Sequence, residues 1–475
     1  MRRYAGGGTL LPMMTLKKLD KNTDILRPYF KRYGGVFNDL TLGTRFMWDD
    51  VFKAEYAIIN DTLILRETFS KHSSFYYPMG EHAEKALSAI EEYAAKSGYT
   101  TLSFGCLTET QAAELSERYA GAKFGFSRDW CDYIYPAEQF KAYGGKKLSG
   151  QRNHVNKFRK NYRGYVVHRI EKKDIPRLKE FLREYERENE IKGLAAEEQP
   201  RVYGLLDNME SLDQFGIFVT VGGKPVSLSV GEICGETLFV HVEKGLKEYE
   251  GVYPLTAQEF AKAFAADGVK YINREEDCGD EGLRVSKTQY HPSAIKEKYS
   301  LSARLSFSLI KPPVDISTER LSVTDFYEKD KDVYAKLYTD ESVNRFYGYD
   351  YREDIGENKA DGEYFFSFYQ NLKNKKEEYS LAVRLNGETV GEIVFYNFGY
   401  SAQAEIGFRF FTEYQGKGYA FESVKAAIWY AFKRGFKKIT CRHFKENDRS
   451  EKLVLKLGFT FLREDKTHKY YELTI

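Results

Sequence analysis

Residues 404–420 read Ala-Glu-Ile-Gly-Phe-Arg-Phe-Phe-Thr-Glu-Tyr-Gln-Gly-Lys-Gly-Tyr-Ala, and this stretch decides the fold of the last third of the chain. An apolar strand leads into a glycine loop at residues 415–420, and an amphipathic helix is predicted over residues 421–433. Glycines let the backbone approach a ligand closely, and the N–H groups at the start of a helix attract anions. The pattern therefore predicts a strand, loop and helix that together bind phosphate.

The composition is that of a folded chain with several domains. Its 475 residues exceed what one core holds, and 42% hydrophobic residues exclude wholesale disorder. A net charge of +2 gives no global case for nucleic-acid binding. Five widely spaced cysteines form no Cys-x-x-Cys pair, so neither a metal site nor a disulfide framework is expected. Because no apolar run reaches the ~18 residues of a membrane span and no signal peptide is evident, we expect a cytoplasmic protein.

Predicted strands and helices alternate along the chain with an internal similarity. Hairpins are predicted at residues 219–226 and 382–390, the second around the turn signal Asn386-Gly387, and each leads to a further strand and a helix. A looser version of this pattern begins with a strand over residues 62–65 and a helix over residues 83–96. Alternation of this kind predicts mixed α/β layers.

The repeated pattern predicts an α/β fold with mixed α+β sheets, built as three related units. Pro312-Pro313 interrupts regular structure and is typical of a linker. The predicted parts are a flexible leader at residues 1–14 with Met14 as an alternative start to Met1, unit one at 15–145, unit two at 146–308, a linker at 309–314, and unit three at 315–475.

The spacing Gln415-x-x-Gly418-x-Ala420 resembles the pyrophosphate motif of GCN5-related N-acetyltransferases (GNAT), in the branch that includes the ribosomal-protein N-terminal enzymes. The resemblance implies that unit three uses acetyl-CoA as its acyl donor. The residues that it implies for cofactor binding are Phe410, Phe411, Gln415, Gly416, Lys417, Gly418, Tyr419, Ala420 and Asn447.

Acetyl transfer to an amine requires a base for the amine and a proton for the departing thiolate. The resemblance implies Glu405 as the base and Ser450, in the pattern Asn447-x-x-Ser450, as the proton donor. A solvated Glu405 and a purely helix-capping Asn447 and Ser450 remain open alternatives. The side chains of Phe410 and Phe411 are expected in the core, with a backbone N–H near them facing the oxyanion.

Units one and two together resemble a bacterial family related to the C-terminal domain of phosphatidylglycerol lysyltransferases, which is a tandem of acetyltransferase-like folds. The resemblance spans residues 15–305 and rests on four stretches: Phe46-Met-Trp48, Tyr77-Pro-Met-Gly80, the basic residues 146–163, and Asp277 to Pro292. In unit two the glycine loop is damaged, because Tyr253 stands where the second glycine would be and Glu250 adds negative charge.

Two features of the front units remain functional candidates. Asp277, Arg284 and Lys287 form a second-site candidate, in which the two cations bind an anion and Asp277 acts on an amine; an ion-pair cluster that closes the core is the alternative. A basic stripe is a candidate for tRNA or anionic lipid, with a solvated face as its alternative. The stripe consists of Lys146, Lys147, Arg152, Lys157, Arg159, Lys160 and Arg163.

The sequence thus predicts an acetyl-CoA-dependent N-acetyltransferase that acts on a primary amine and is fused to a tandem front module. One alternative is an aminoacyl-tRNA-dependent aminoacyltransferase centred on unit two, and another is a non-catalytic front module that acts as a binding scaffold. The acceptor stays open among a peptide α-amine, a polyamine, an amino sugar and an antibiotic, since loops that vary between relatives build acceptor pockets.

Overall fold

The computed structural model describes residues 14–120, 122–189, 193–266, 268–348, 350–353 and 355–475. Of the predicted leader, residues 1–13 lie outside the described residues, and Met14 is buried. None of the described helices combines the length and apolarity needed to cross a bilayer.

The strands of the described chain alternate with helices as predicted. The strands are β1 (Lys17–Lys18), β2 (Glu55–Ile59), β3 (Thr62–Phe69), β4 (His72–Phe75), β5 (Thr101–Leu107), β6 (Phe124–Phe126), β7 (Asp132–Pro136), β8 (Val166–Arg169), β9 (Phe215–Val221), β10 (Lys224–Cys234), β11 (Thr237–Gly245), β12 (Tyr271–Asn273), β13 (Ala294–Lys296), β14 (Tyr299–Arg304), β15 (Asp315–Ser317), β16 (Leu321–Asp325), β17 (Glu378–Leu385), β18 (Glu388–Tyr396), β19 (Gln403–Phe410), β20 (Lys438–Phe444), β21 (Thr460–Glu464) and β22 (His468–Thr474).

The helices cover the faces of the sheets. They are α1 (Arg27–Tyr33), α2 (Leu42–Phe52), α3 (Ala83–Lys96), α4 (Glu109–Arg118), α5 (Ala137–Ala142), α6 (Ser149–Asn161), α7 (Ile175–Glu188), α8 (Leu194–Asp207), α9 (Val252–Phe264), α10 (Glu281–Thr288), α11 (Lys331–Thr339), α12 (Glu341–Asn344), α13 (Gly362–Asn374), α14 (Tyr419–Lys433) and α15 (Asp448–Lys456).

The strands form three mixed sheets. The strand orders are β1-β2-β3-β4-β5-β14-β6, then β13-β7-β12-β11-β10-β9-β8, then β15-β16-β17-β18-β19-β20-β22-β21. Among the described strand pairs, each sheet contains one parallel pair: β4 with β5, β11 with β12, and β19 with β20. The shared pattern confirms the prediction of an α/β fold with three acetyltransferase-like units.

Local signals in the sequence appear where they were predicted. Asn386 and Gly387 have φ angles of 50° and 87°, as the predicted two-residue turn between β17 and β18 requires. The helix predicted over residues 83–96 is α3, and its buried side chains fall on one face at helical spacing. These elements depend on short-range patterns, which the sequence carries in full.

The first two sheets exchange a strand. β7, assigned by the predicted bounds to unit one, pairs with β12 and β13 in the second sheet. β14, assigned to unit two, inserts between β5 and β6 of the first sheet, with Ser302 opposite Ser103. The bounds 15–145 and 146–308 therefore stay predictions about chain segments, and neither segment alone contains a whole sheet.

A buried ion pair lies where the chain crosses between the two sheets. Lys298, only 8% exposed, lies between β13 and β14, and its Nζ is 2.7 Å from Asp132 Oδ1 at the start of β7. Asp39 of the first unit and Glu276 of the second lie 2.6 and 3.2 Å from the same Nζ. Burial opposes the charge of Lys298, but Asp132, Asp39 and Glu276 outweigh it and raise the pKa of Lys298 well above its usual value.

The third unit packs directly on the first. Ile310 and Val314, both in the predicted linker, are buried in a hydrophobic cluster that joins residues of both units. Tyr400 also donates a hydrogen bond to the backbone carbonyl of Tyr99 in the first unit, at 2.7 Å. The connection between the units is therefore part of the packed core.

We expect Lys298→Met to destabilise the front module by about 3–5 kcal/mol, because it leaves buried carboxylates without their cation. Urea unfolding measures the loss. The matched control is Lys296→Met, an exposed lysine of β13, which should shift stability by less than about 0.5 kcal/mol. Equal stability of the two variants would show that the ion pair does not hold the crossing together.

Candidate active site

The glycine loop of unit three joins the short turn Thr412–Tyr414 to α14. Gly416 and Gly418 have φ angles of 73° and 84°, a backbone conformation that disfavours residues with a Cβ. Gly418 is the N-cap of α14 and offers no side chain to satisfy the first turn of the helix. Residues 415–418 are all exposed, so this helix end faces solvent.

The N–H groups of residues 416–421 donate to no acceptor among the described residues, and the first helical bond runs from Glu422 N to Gly418 O at 3.1 Å. A Cβ placed on Gly416 would meet nothing within 4 Å, and one on Gly418 would meet only Arg320 Nη2, at 3.3 Å. Free donors around an open backbone concavity at the positive end of a helix fit a diphosphate.

Arg320 borders this loop and was missed by the sequence reasoning. Its Nη1 donates to Lys417 O at 3.1 Å, its Nε lies 2.8 Å from Glu422 Oε2, and its guanidinium stacks 4.7 Å above the Tyr419 ring. Arg320 precedes Lys417 by 97 positions, so no local pattern could have joined them. It places a guanidinium, paired with Glu422, beside the exposed Lys417.

β19 and β20 separate close to this loop. Their parallel pairing runs from Gln403 opposite Lys438 to Glu405 opposite Thr440 and then ends. Phe411 N donates to Val390 O of the neighbouring strand β18 at 3.1 Å, and successive N–H groups of a strand point in alternate directions. The N–H groups of Phe408 and Phe410 therefore face the edge that β20 has left.

The two phenylalanines predicted to contact the cofactor differ in their backbone hydrogen bonds. Phe410 and Phe411 are both buried, as expected of core side chains. The Phe411 N–H is already bonded within the sheet, so Phe410 is the one of the two whose N–H faces the open edge. Gln415 Nε2 donates to Phe410 O at 3.0 Å and ties the loop to the end of β19.

Glu405 lies at the point where the strands separate and is only 9% exposed, so it is not a solvated strand residue. Its Oε1 accepts a hydrogen bond from the Tyr396 hydroxyl at 2.7 Å, and its Oε2 accepts one from Asn397 Nδ2 at 2.9 Å. Arg442 Nε lies 3.3 Å from Oε1. Two hydrogen bonds and one ion pair thus fix the orientation of the carboxylate.

A cavity of about 280 Å³ opens beside Glu405. Two sets of side chains line it, one from β18 to β20 and one from the last hairpin. The lining residues are Asn397, Glu405, Thr440, Cys441, Arg442, Leu462, Arg463, Tyr470 and Tyr471. Because Glu405 and Thr440 form the last register pair before the strands diverge, the cavity lies at the separation.

Asn447 is the N-cap of α15, and its Oδ1 accepts a hydrogen bond from Ser450 N at 3.2 Å. The capping alternative is therefore realised for Asn447, although its amide nitrogen is not used in that bond. Ser450 is half-buried, and its hydroxyl has no hydrogen-bond partner among the described residues. The role of Ser450 as a proton donor stays a prediction.

Unit two has the same backbone feature with a different neighbour. Gly251, with a φ of 88°, is the N-cap of α9, as Gly418 is of α14. Gly251 therefore stands at the position of the second glycine and Tyr249 at that of Gly416, so the expected placement of Tyr253 at the second glycine is wrong. A Cβ on Gly251 would lie 2.3 Å from His154 O of α6. In addition, Lys157 of α6 bonds to Glu250 at 2.6 Å. Helix α6 therefore covers this loop, and a diphosphate has no access to it.

The second-site candidates form internal bonds. Asp277 is fully buried, and Arg284 Nε donates to its Oδ2 at 2.9 Å. Burial opposes the charge of Asp277, but the bonds from Arg284 and Tyr133 outweigh it and lower its pKa well below the usual value. Lys287 Nζ donates to the backbone carbonyls of Arg274 and Glu276. The arrangement resembles the predicted core-closing ion-pair cluster, and a catalytic role stays a prediction.

The basic stripe is partly neutralised. Lys157 and Arg159 pair with Glu250 and Glu259, and Arg152 donates to the backbone carbonyl of Tyr143. Four exposed cations of the stripe have no ion-pair partner among the described residues: Lys146, Lys147, Lys160 and Arg163.

Residues 32–302 match the family model "Phosphatidylglycerol lysyltransferase, C-terminal", and residues 320–460 match "Acetyltransferase (GNAT) domain". Two uncharacterized N-acetyltransferases of Bacillus subtilis are similar to part of this chain. YoaA is 26% identical over 146 residues, and YnaD is 29% identical over 144 residues; each match covers 30% of this chain and 81% of the relative.

A conserved protein of unknown function from Bacteroides thetaiotaomicron has a crystal structure similar to this one, with a TM-score of 0.57. The two are 28% identical, and the match covers 61% of this chain and 99% of that chain.

The first family model covers more than half of the chain, and the second includes the glycine loop, Glu405 and Ser450. The chain therefore belongs to the family of phosphatidylglycerol lysyltransferase C-terminal domains, carries a GNAT acetyltransferase domain after it, and is an acyltransferase.

Proposed function

We propose that unit three is an acetyl-CoA-dependent N-acetyltransferase that acts on a primary amine. The observation that carries this proposal is the convergence of three features: unbonded N–H groups at the glycine loop, the open edge of β19, and a cavity that contains Glu405. Each supplies one requirement of acyl transfer, namely donor binding, donor orientation and an acceptor site.

The glycine loop holds the diphosphate of the donor through the N–H groups of residues 416–421, with Lys417 adding positive charge. The N–H groups of Phe408 and Phe410 hold the extended arm of the donor along β19, in place of the missing strand contact. The thioester of the bound donor supplies the acetyl group.

Glu405 receives a proton from the acceptor amine, directly or through a water molecule, and the amine nitrogen then bonds to the acetyl carbon. As the carbon–sulfur bond breaks, the Ser450 hydroxyl protonates the departing thiolate, and the second proton of the acylated nitrogen returns through water to the Ser450 oxygen. Tyr396 and Asn397 orient Glu405 through their hydrogen bonds, so these two are positioning residues.

We expect Gly418→Glu to weaken coenzyme A binding at least about 100-fold, measured by titration calorimetry with coenzyme A itself. The added carboxylate repels the diphosphate, and several charge-assisted hydrogen bonds, each worth about 1.5–3 kcal/mol, are lost.

Gly387→Glu is the matched control. Gly387 has nearly the same φ, 87°, with nothing within 4 Å of an added Cβ, and lies in a hairpin turn outside the site. It therefore imposes similar backbone strain and should bind coenzyme A like the unmodified protein. Equal affinity in both variants would contradict the assignment of the loop.

We expect Glu405→Gln to lower kcat about 100-fold or more at neutral pH, because the amide cannot take up the amine proton. Affinity for coenzyme A should stay unchanged. Acceptors come from an unbiased mass-spectrometric screen for acetylated amines. The control, Glu388→Gln, alters an exposed glutamate at the start of β18 and should keep full turnover. Unchanged turnover of Glu405→Gln would reject Glu405 as the base.

A second candidate function is aminoacyl transfer from charged tRNA by the front module. It is favoured by the family match over residues 32–302 and by the covered glycine loop of unit two, which points to a donor other than coenzyme A. The exposed cations of the basic stripe that lack ion-pair partners are the part that would contact tRNA phosphates.

If these cations contact tRNA, replacing all four with glutamate should weaken tRNA binding. It should also reduce the slope of log affinity against log salt concentration by about three. The four are Lys146, Lys147, Lys160 and Arg163. Filter binding at several salt concentrations measures both effects. An unchanged slope would contradict tRNA contact by the stripe. The control reverses four exposed lysines of unit one and should leave the slope unchanged: Lys17, Lys18, Lys31 and Lys71.

A further inference from the structure

Resting on the proposed function of unit three, we propose that its acceptor is a small amine that also carries an anionic group, and that Arg463 binds this group. The proposal is carried by the charges that line the cavity beside Glu405, by its size, and by the partners of the surrounding side chains.

The cavity is small. Its volume of about 280 Å³ lies just below the ~300–1,000 Å³ of typical ligand pockets. Such a space accommodates an acceptor of amino-acid size together with the end of the acyl donor.

The charges in the cavity do not balance without a ligand. Glu405 and Arg442 form an ion pair at 3.3 Å and compensate each other. Arg463 is the remaining charged residue of the lining, it is exposed, and no carboxylate of the described residues forms an ion pair with it. The cavity therefore holds one surplus positive charge, which an anionic ligand would neutralise.

Arg463 stacks on an aromatic ring. Its guanidinium lies 3.7 Å from the centroid of the Tyr470 ring, and both residues line the cavity. Stacking on an aromatic ring restricts the plane of a guanidinium and leaves its N–H groups available at the edge. A planar fork of this kind matches a carboxylate or a phosphate through two parallel hydrogen bonds.

The nearby acids have other partners. Asp465 accepts a hydrogen bond from the Tyr470 hydroxyl at 2.7 Å and others from the backbone N–H groups of Thr467 and His468, each at 2.8 Å. Glu464 pairs with Lys445 at 2.8 Å. Neither carboxylate compensates Arg463, so the guanidinium is available to a ligand.

Two charged residues of the cavity lining thus have complementary functions. Glu405 attracts the amine at the point where β19 and β20 separate, and Arg463 of the last hairpin attracts the anionic group. An acceptor bound between them presents its nitrogen to the acyl donor. Amines without the anionic group lose one of the two contacts and bind more weakly.

Matched acceptors test this proposal in the full-length protein with acetyl-CoA. The carboxylate arm compares β-alanine with β-alaninamide, and the phosphate arm compares O-phosphoethanolamine with ethanolamine. We expect kcat/KM to be at least about tenfold higher for the anionic member of at least one pair, since a bond to a charged group is worth about a factor of ten. The arm with the larger ratio identifies the anionic group.

Variants of Arg463 assign the effect to that residue. Arg463→Gln should remove the preference by raising KM for the anionic acceptor about tenfold, with KM for its neutral partner changed less than about twofold. Arg463→Lys retains the charge and should keep most of the preference. The control Lys466→Gln removes an exposed cation of the adjacent turn, outside the cavity lining, and should change neither KM. Unaltered binding of coenzyme A shows that each variant is folded.

The possible failures are distinct. Equal turnover of both members in both pairs overturns the anionic acceptor and leaves N-acetyltransferase activity standing. A preference that persists in Arg463→Gln overturns the role of Arg463. If coenzyme A does not bind and no amine in the panel or the screen is acetylated, the proposed function itself fails, and the acceptor proposal fails with it.

Discussion

The buried ion pair between Lys298 and Asp132 is the interaction on which the front module depends. Asp132 lies where the chain passes from the first sheet to the second, and Lys298 lies where it returns to the first. A single contact therefore holds the two crossings together. A buried ion pair contributes little net stability over an apolar pair, yet losing one partner is costly. The pair therefore acts chiefly as a constraint on geometry, which holds two acetyltransferase-like sheets as one module against which the third unit packs.

Two nearly identical helix starts in this chain have different capacities. Gly251 and Gly418 share almost the same φ and the same position before a helix. What differs is the neighbour, because α6 lies against Gly251, whereas Gly418 borders only an exposed arginine. Backbone conformation alone thus does not define an anion site, and access by the ligand has to be shown as well.

The sequence predicted what short-range patterns determine. The turn at Asn386-Gly387, the helix α3 and the glycine loop before α14 are each defined by neighbouring residues, and the structure has them in place. It did not predict the contact between Arg320 and the loop or the exchange of β7 and β14, since both join distant segments. Near the end of β19, the N–H of Phe410 is available to a ligand and the N–H of Phe411 is not. This difference depends on strand pairing, which amino-acid composition does not encode. The donors around Glu405 were missed for the same reason.

The exchange of strands also affects how the chain folds during synthesis. β5 pairs with β14, and Ser103 and Ser302 on these strands are 199 positions apart. The first sheet cannot be completed until the ribosome has released the whole of the second unit, so domains in this chain do not mature one by one from the amino terminus. Until then the edge of β5 stays unpaired, and a nascent chain of this protein has a longer period in which chaperones are needed.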